Sequence, residues 1–213
     1  MTHSNHRRGS RESLNSDYVL TLRGPKVLDE PENANKGVKI LAKHNPVGLV
    51  KSRHENVQRY MRGWSKGMGL EELANNTDPP SYITGVYESK DDVNKVVEDL
   101  TEADLGFSVV ISGVFENTFD VCKDVGIEPH TVCMSMGTVG RTDLLPEPEI
   151  LEITTMCGHS LISQHIVRHY IDLVKAGKIS TYDASLEIGK QCMCNYMNPV
   201  RAEKIIKDYI AKT

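Results

Sequence analysis

Between Tyr82 and Met136 the sequence alternates strand-like with helix-like segments, and this alternation limits how the chain can build a sheet more than any other feature does. Tyr82–Tyr87 (YITGVY) is rich in β-branched and aromatic residues and predicts a strand. Ser89, with Asp92 three residues on, predicts an N-cap, and Val93, Val96, Val97 and Leu100 then share one helical face. Phe107–Ile111 (FSVVI) is a second, continuously apolar strand, and Phe115, Phe119, Cys122 and Val125 mark a helix stopped by Gly126. Thr131–Met136 predicts a third strand. Helices of this length between strands favour right-handed crossovers. The expected fold is therefore α+β or α/β, with a small, mostly parallel sheet and crossover helices in a βαβαβ core over residues 79–142.

The flanks divide in three. Residues 1–16 are polar, with Arg7, Arg8 and Arg11 and no apolar period, and are expected to be a disordered tail. Residues 17–78 form a basic N-terminal region with a short strand at 18–22 (YVLTL) and a loop from Gly24 to Asn35. Within it, Ser52–Trp64 has a helical reading, and Thr77-Asp78-Pro79-Pro80 marks the boundary with the core. Residues 143–213 switch to helix. Ile162, Ile166, Tyr170 and Leu173 repeat at helical spacing within Ser160–Lys175, Thr181 opens a short helix, and Asn198-Pro199 caps the last one.

A chain of 213 residues that is 39 % apolar can bury a core without disulfide staples. Its cysteines are odd in number, no stretch resembles a signal peptide, and no apolar run approaches the roughly 20 residues that span a bilayer. The expected location is the cytoplasm. The net charge of −4 conceals +7 over residues 1–66 and −11 over residues 67–213. Arg53, Arg59, Tyr60, Arg62, Trp64 and Lys66 interleave cations with rings as single-stranded nucleic-acid surfaces do, but the acidic remainder would repel a phosphate backbone. Opposite charge on the two parts is better explained by packing within the chain, in a homo-oligomer or against a partner subunit.

Three of the five cysteines sit in breaks between C-terminal helices, Cys157 in Met156-Cys-Gly-His159 and the other two in Cys192-Met-Cys194. Each break is expected just ahead of a helix start, where unpaired N–H groups and the helix dipole favour a thiolate. In a continuous helix residues 157 and 159 would diverge by about 200°, so Gly158 has to break the backbone if both are to face one metal. If the two breaks meet, Cys157, Cys192 and Cys194 hold three corners of an iron–sulfur cluster, with His159 as fourth ligand or as general acid–base. A [4Fe–4S] cluster with one open iron would act as a Lewis acid. Zinc fits the same donors, and so does a metal-free reversible disulfide or simple packing. Cys122 is assigned to the core, and Cys133 to a strand whose end could bring a fourth thiolate. His165 and His169 are assigned to the polar edge of their helix. Ser135–Thr142, with Gly137 and Gly140, reads as a glycine-rich turn or as an anion nest in which Arg141 anchors a small anionic substrate.

The segment Glu152-Ile-Thr-Thr-Met-Cys-Gly-His159, followed by Cys192-x-Cys194 and Asn198-Pro-Val-Arg-Ala202, resembles the C-terminal part of a family of proteins of anaerobic bacteria and archaea. The resemblance covers about the last 100 residues and carries no activity with it. It implies an oxygen-sensitive iron–sulfur site and a place in anaerobic metabolism. The sequence thus leads to a metalloenzyme of lyase, dehydratase or redox type. It leaves two alternatives, a cluster- or thiol-based sensor that binds nucleic acid or a partner protein, and a zinc-stapled subunit of a larger complex.

Overall fold

Strand β4 (Tyr82–Tyr87) has the bounds its sequence predicts, and Ser89 caps the following helix through its side chain, but the partners of β4 are not those expected. The structure is a computed structural model and describes residues 7–24, 29–53, 56–135 and 137–213. In chain order its elements are α1 (Arg11–Leu14), β1 (Tyr18–Arg23), α2 (Pro31–Lys43), β2 (Gly48–Arg53), β3 (Asn56–Met61), α3 (Leu70–Asn75), β4, α4 (Lys90–Ala103), β5 (Ser108–Ser112) and α5 (Phe115–Val125). A 3-10 turn (Thr142–Leu144), α6 (Pro148–Thr155), α7 (Gln164–Lys175), α8 (Thr181–Gly189) and α9 (Pro199–Lys212) follow. No helix among the described residues is long and apolar enough to cross a membrane.

The sheet runs β3-β2-β4-β1-β5 with every neighbouring pair antiparallel, which overturns the mostly parallel βαβαβ core. The physical reason is an inserted strand. β4 and β5 both run antiparallel to β1, so they share a direction and α4 does cross between them, but β1 lies in the gap. Likewise β1 and β2 share a direction and are separated by β4. These are two interleaved split β-α-β units, a topology that local strand–helix–strand order cannot distinguish from a parallel sheet. The third expected strand does not form, because residues 131–135 are irregular, exposed and outside the sheet, and Met136 lies outside the described residues. Nor is Ser52–Trp64 a helix. It supplies the end of β2 and all of β3, paired as a hairpin from Gly48↔Met61 to Arg53↔Asn56. The Gly24–Asn35 loop reading fails at its end, where Pro31 at the first turn starts α2, and its residues 25–28 lie outside the described residues.

Alternation along the strands sends the two sheet faces to different cores. Tyr18, Leu20, Leu22, Leu49, Ile83 and Tyr87 pack with α2, α3 and α4. Val19 and Val86 point the other way, into a core completed by Ile150, Ile153, Val167, Ile188 and Ile206 of the C-terminal helices. On that second face Thr21, Arg23, Ser52, Arg59, Tyr82 and Thr84 are interleaved with apolar Val50, Met61 and Val110. A polar strip of the sheet thus lies under the C-terminal layer.

Residues 7–16 of the expected disordered tail pack onto this layer, and residues 1–6 lie outside the described residues. Ser10 caps α1, and the Arg8 N–H donates to Thr155 Oγ1. Arg7 pairs with Asp17, and Arg201 Nη1 lies 2.7 Å from the same carboxylate, whose side chain is fully buried. Asn198 stands at the centre, because Oδ1 accepts from the N–H groups of Val200 and Arg201 while Nδ2 donates to Ser16 O and Asp17 Oδ1. Asn198→Ala removes this cap as well as its tie to β1. The expected cost is about 2 kcal/mol, at the upper end for an N-cap, measured by urea denaturation.

Candidate functional site

Cys157 and Cys192 lie in two tight turns of matching form. In Cys157-Gly-His-Ser160 the Ser160 N–H donates to Cys157 O at 3.0 Å, and in Cys192-Met-Cys-Asn195 the Asn195 N–H donates to Cys192 O at 3.0 Å. The fourth residue of each turn is left-handed, Ser160 at φ 56° and Asn195 at φ 52°. That conformation folds the next N–H groups back over the sulfur that opened the turn. The Cys157 sulfur accepts from the N–H groups of Leu161, His159 and Ile162, and Cys192 from those of Met197 and Tyr196. Each thiol is held in a nest of backbone donors, an arrangement that favours negative charge.

This differs from the expected helix-start setting. α6 ends at Thr155 and α7 begins at Gln164 with Ser163 as its cap, so Cys157 lies in the loop between helices and not at a helix N-terminus. Cys192 and Cys194 follow α8 and precede Pro199 in the same way. Turn N–H groups replace the helix dipole as the source of positive potential.

The two turns meet. The Cys192 thiol donates to the Cys157 sulfur, which with the backbone donors holds Cys157 down to about 6 against the cost of burial. The same shared proton, together with burial, pushes Cys192 well above the usual thiol range. Cys194 faces outward from this pair, with Sγ 3.2 Å from His159 Nδ1 and the Tyr82 hydroxyl donating to it. Burial raises Cys194, Tyr82 opposes that rise, and the charge on Cys157 adds to it. The four residues singled out in sequence, Cys157, His159, Cys192 and Cys194, are thus brought together as two contacting pairs. Cys157, Cys192 and Cys194 are buried, whereas His159 is exposed on the solvent side. Among the described residues no three histidine, cysteine, aspartate or glutamate side chains gather closely enough, as they stand, to hold one metal ion.

The polar strip of the sheet completes the surroundings; of it the sequence reading singled out only Arg59, and for another role. Tyr82 is pushed up to about 12, chiefly by burial, and its ring lies 5.2 Å under the Arg23 guanidinium. Arg59 donates from Nη1 to Lys190 O at 3.1 Å; burial lowers it, and the charges of Cys192 and Tyr82 favour its cation. Thr21 Oγ1 lies 2.7 Å from the Tyr196 hydroxyl, one residue after the second turn. The sequence signal was the placing of Thr21 and Arg23 in β1 and of Tyr82 and Thr84 in β4 two residues apart, legible once those strands are paired.

Arg7 fastens both turns from outside. Its guanidinium donates to Tyr196 O and, at 3.5 Å, to Met156 O, the carbonyls flanking the two thiol turns. Other sequence candidates lie elsewhere. Arg141 is exposed and pairs with Asp143 at 2.6 Å, in no contact with the thiols. Cys133 is exposed, and Cys122 is half-buried, so the core assignment of Cys122 is corrected: of the α5 face only Val121 is buried, and Phe119 is 42 % exposed. His165 and His169 are exposed on α7. Arg62 pairs with Glu88 at 3.0 Å and Arg53 with Asp29 at 3.5 Å, and Lys190 sits over the Trp64 ring, so much of the basic-aromatic run is engaged within the chain. Comparisons with protein-family models, with curated proteins and with solved structures find no match for this chain.

Proposed function

We propose that the two thiol turns form a metal-binding thiolate centre, with Cys157, Cys192 and Cys194 as ligands of an iron–sulfur cluster and zinc as the alternative. What supports the reading is two buried thiols paired across matching turns, each turn closed by its own N–H···O bond and a left-handed fourth residue that directs backbone N–H groups towards the sulfur. Donors of that kind stabilise negative charge on both sulfurs, and two thiolates in contact repel unless a cation lies between them. N–H bonds to sulfur are also what sets the potential of a cluster once bound. Cys194 joins by turning its Sγ from His159 towards the pair. A cluster held by three thiolates keeps one iron for substrate, and the exposed His159 stands on the side from which a small anionic substrate would approach, as ligand or as acid–base.

The contact between the Cys157 and Cys192 thiols favours a second reading, a metal-free redox switch. A peroxide would oxidise the Cys157 thiolate to a sulfenic acid with release of hydroxide, and the Cys192 thiol would then form the disulfide with loss of water. One experiment separates the two. Protein purified without oxygen is analysed for iron, zinc and acid-labile sulfide, and its visible spectrum is recorded. Stoichiometric iron with sulfide, or stoichiometric zinc, is the expected result. A colourless, metal-free protein that gains a Cys157–Cys192 disulfide on peroxide treatment would replace the first reading with the second, and a metal-free protein that gains none would sink both.

A further inference from the structure

We propose that two copies of this chain join through the free edge of β5, each copy's residues 131–135 adding as a strand to the sheet of the other. β5 is the last strand of the sheet and pairs only with β1 among the described residues. Natural proteins protect such an edge with charge, proline or a covering segment, because its open N–H and C=O groups recruit strands. This edge has no charge. Residues 105–115 contain no aspartate, glutamate, lysine or arginine, and the strand itself is only half-buried, with Ser108 exposed.

The chain also carries the segment that such an edge would take. After α5 stops at the left-handed Gly126, residues 127–135 and 137–141 form neither helix nor strand and are almost wholly exposed. Residues 129–140 again hold no formal charge, in a chain that is 25 % charged. Val132 is 48 % exposed and Met134 71 %, and in an extended chain these two share one side while Thr131, Cys133 and Ser135 share the other. Among the described residues, five of the eight large apolar side chains that are exposed lie in this arm or just beyond it, at Val132, Met134, Val139, Leu144 and Leu145. A solvated loop has no use for a strand with an apolar side; an interface does.

β5 and residues 127–135 line one open cavity of about 1140 Å³ together with Phe107, Phe115, Phe119 and Cys122. That exceeds the roughly 300–1,000 Å³ usual for a small-molecule site and suits a length of polypeptide. The occupant follows from the chain carrying both halves of the fit. A two-fold axis that seats one arm on the partner's edge seats the other arm as well, so both exposed segments are covered in a closed dimer. A foreign strand would cover the edge and leave the arm bare.

Sedimentation velocity on the full chain over a dilution series is the test, with the Val132→Asp/Met134→Asp variant alongside. Wild type is expected to sediment as a dimer and the variant as a monomer with an unchanged circular dichroism spectrum, since neither side chain is buried. A wild type that is monomeric throughout, or a charged variant that stays dimeric, overturns the proposal. Ser108→Cys then reports contact directly. With the native Cys133 it should give a disulfide-linked dimer on a non-reducing gel, lost in Cys133→Ser; a disulfide within one chain would mean that the arm closes on its own sheet, and would overturn the proposal as well.

Discussion

Asp17→Ala is expected to lower the free energy of unfolding by about 3–5 kcal/mol, the range for removing one partner of a buried ion pair. The Asp17 side chain is fully buried, and it answers two guanidiniums that are nearly as buried, Arg7 at 6 % and Arg201 at 2 % exposure. Without it both cations stay in the interior, and Arg201 is left with Glu152 at 3.2 Å. The loss exceeds that of any exposed pair in the chain, for example Arg11 with Glu116, where about 0–1 kcal/mol is the norm. Urea denaturation should show a lower midpoint with an unchanged slope. A shift below 1 kcal/mol would mean that solvent reaches the cluster and that the charges are not confined.

Cys192→Ala should abolish metal binding altogether, while Cys122→Ala and Cys133→Ala leave it at the wild-type level. Cys192 is 1 % exposed and its sulfur is the one paired with Cys157, so its loss leaves Cys157 without the thiol partner on which the proposed centre is built. Cys122 lies half-buried on α5 and Cys133 is exposed on the arm, neither in contact with the centre. The readout is iron, zinc and sulfide per chain in oxygen-free preparations of all four proteins. Equal losses in Cys192→Ala and Cys122→Ala would point to general destabilisation and remove the distinction between ligand and bystander thiols. His159→Ala adds a finer test: as a bound ligand it should lower metal content, and as an acid–base on the solvent side it should leave content intact.

What the sequence made legible was local. Ser89, Asn198 and Gly126 mark the ends of elements where the structure puts them, because caps and left-handed stops depend on a few adjacent residues. Pairing partners were not legible. Leu20 faces Gly85 on one side and Ile111 on the other, contacts 65 and 91 residues away, and nothing in YVLTL announces that it enters the middle of the sheet. β3 was misread because Arg59, Tyr60 and Met61 carry long side chains that suit a helix, whereas their real partners, Val50, Leu49 and Gly48, lie in the preceding strand. For the site, cysteine spacing singled out the residues that meet, and Gly158 marked the need for a break. The nests depend on Ser160 and Asn195 turning left-handed, a state these residue types tolerate without advertising it.

The clamp from Arg7 has a consequence for how the protein is made. It ties Arg7 to the carbonyl of Tyr196, 189 residues later, and through Met156 to the other turn. A ribosome delivers Arg7 long before Tyr196, so the clamp across the two turns closes only after Tyr196 has been made. Contacts this far apart in sequence form slowly, because the entropy of closing the intervening loop must be met first. The two thiol turns are therefore locked together only after the segment that carries the second of them has been made, however early the first turn forms.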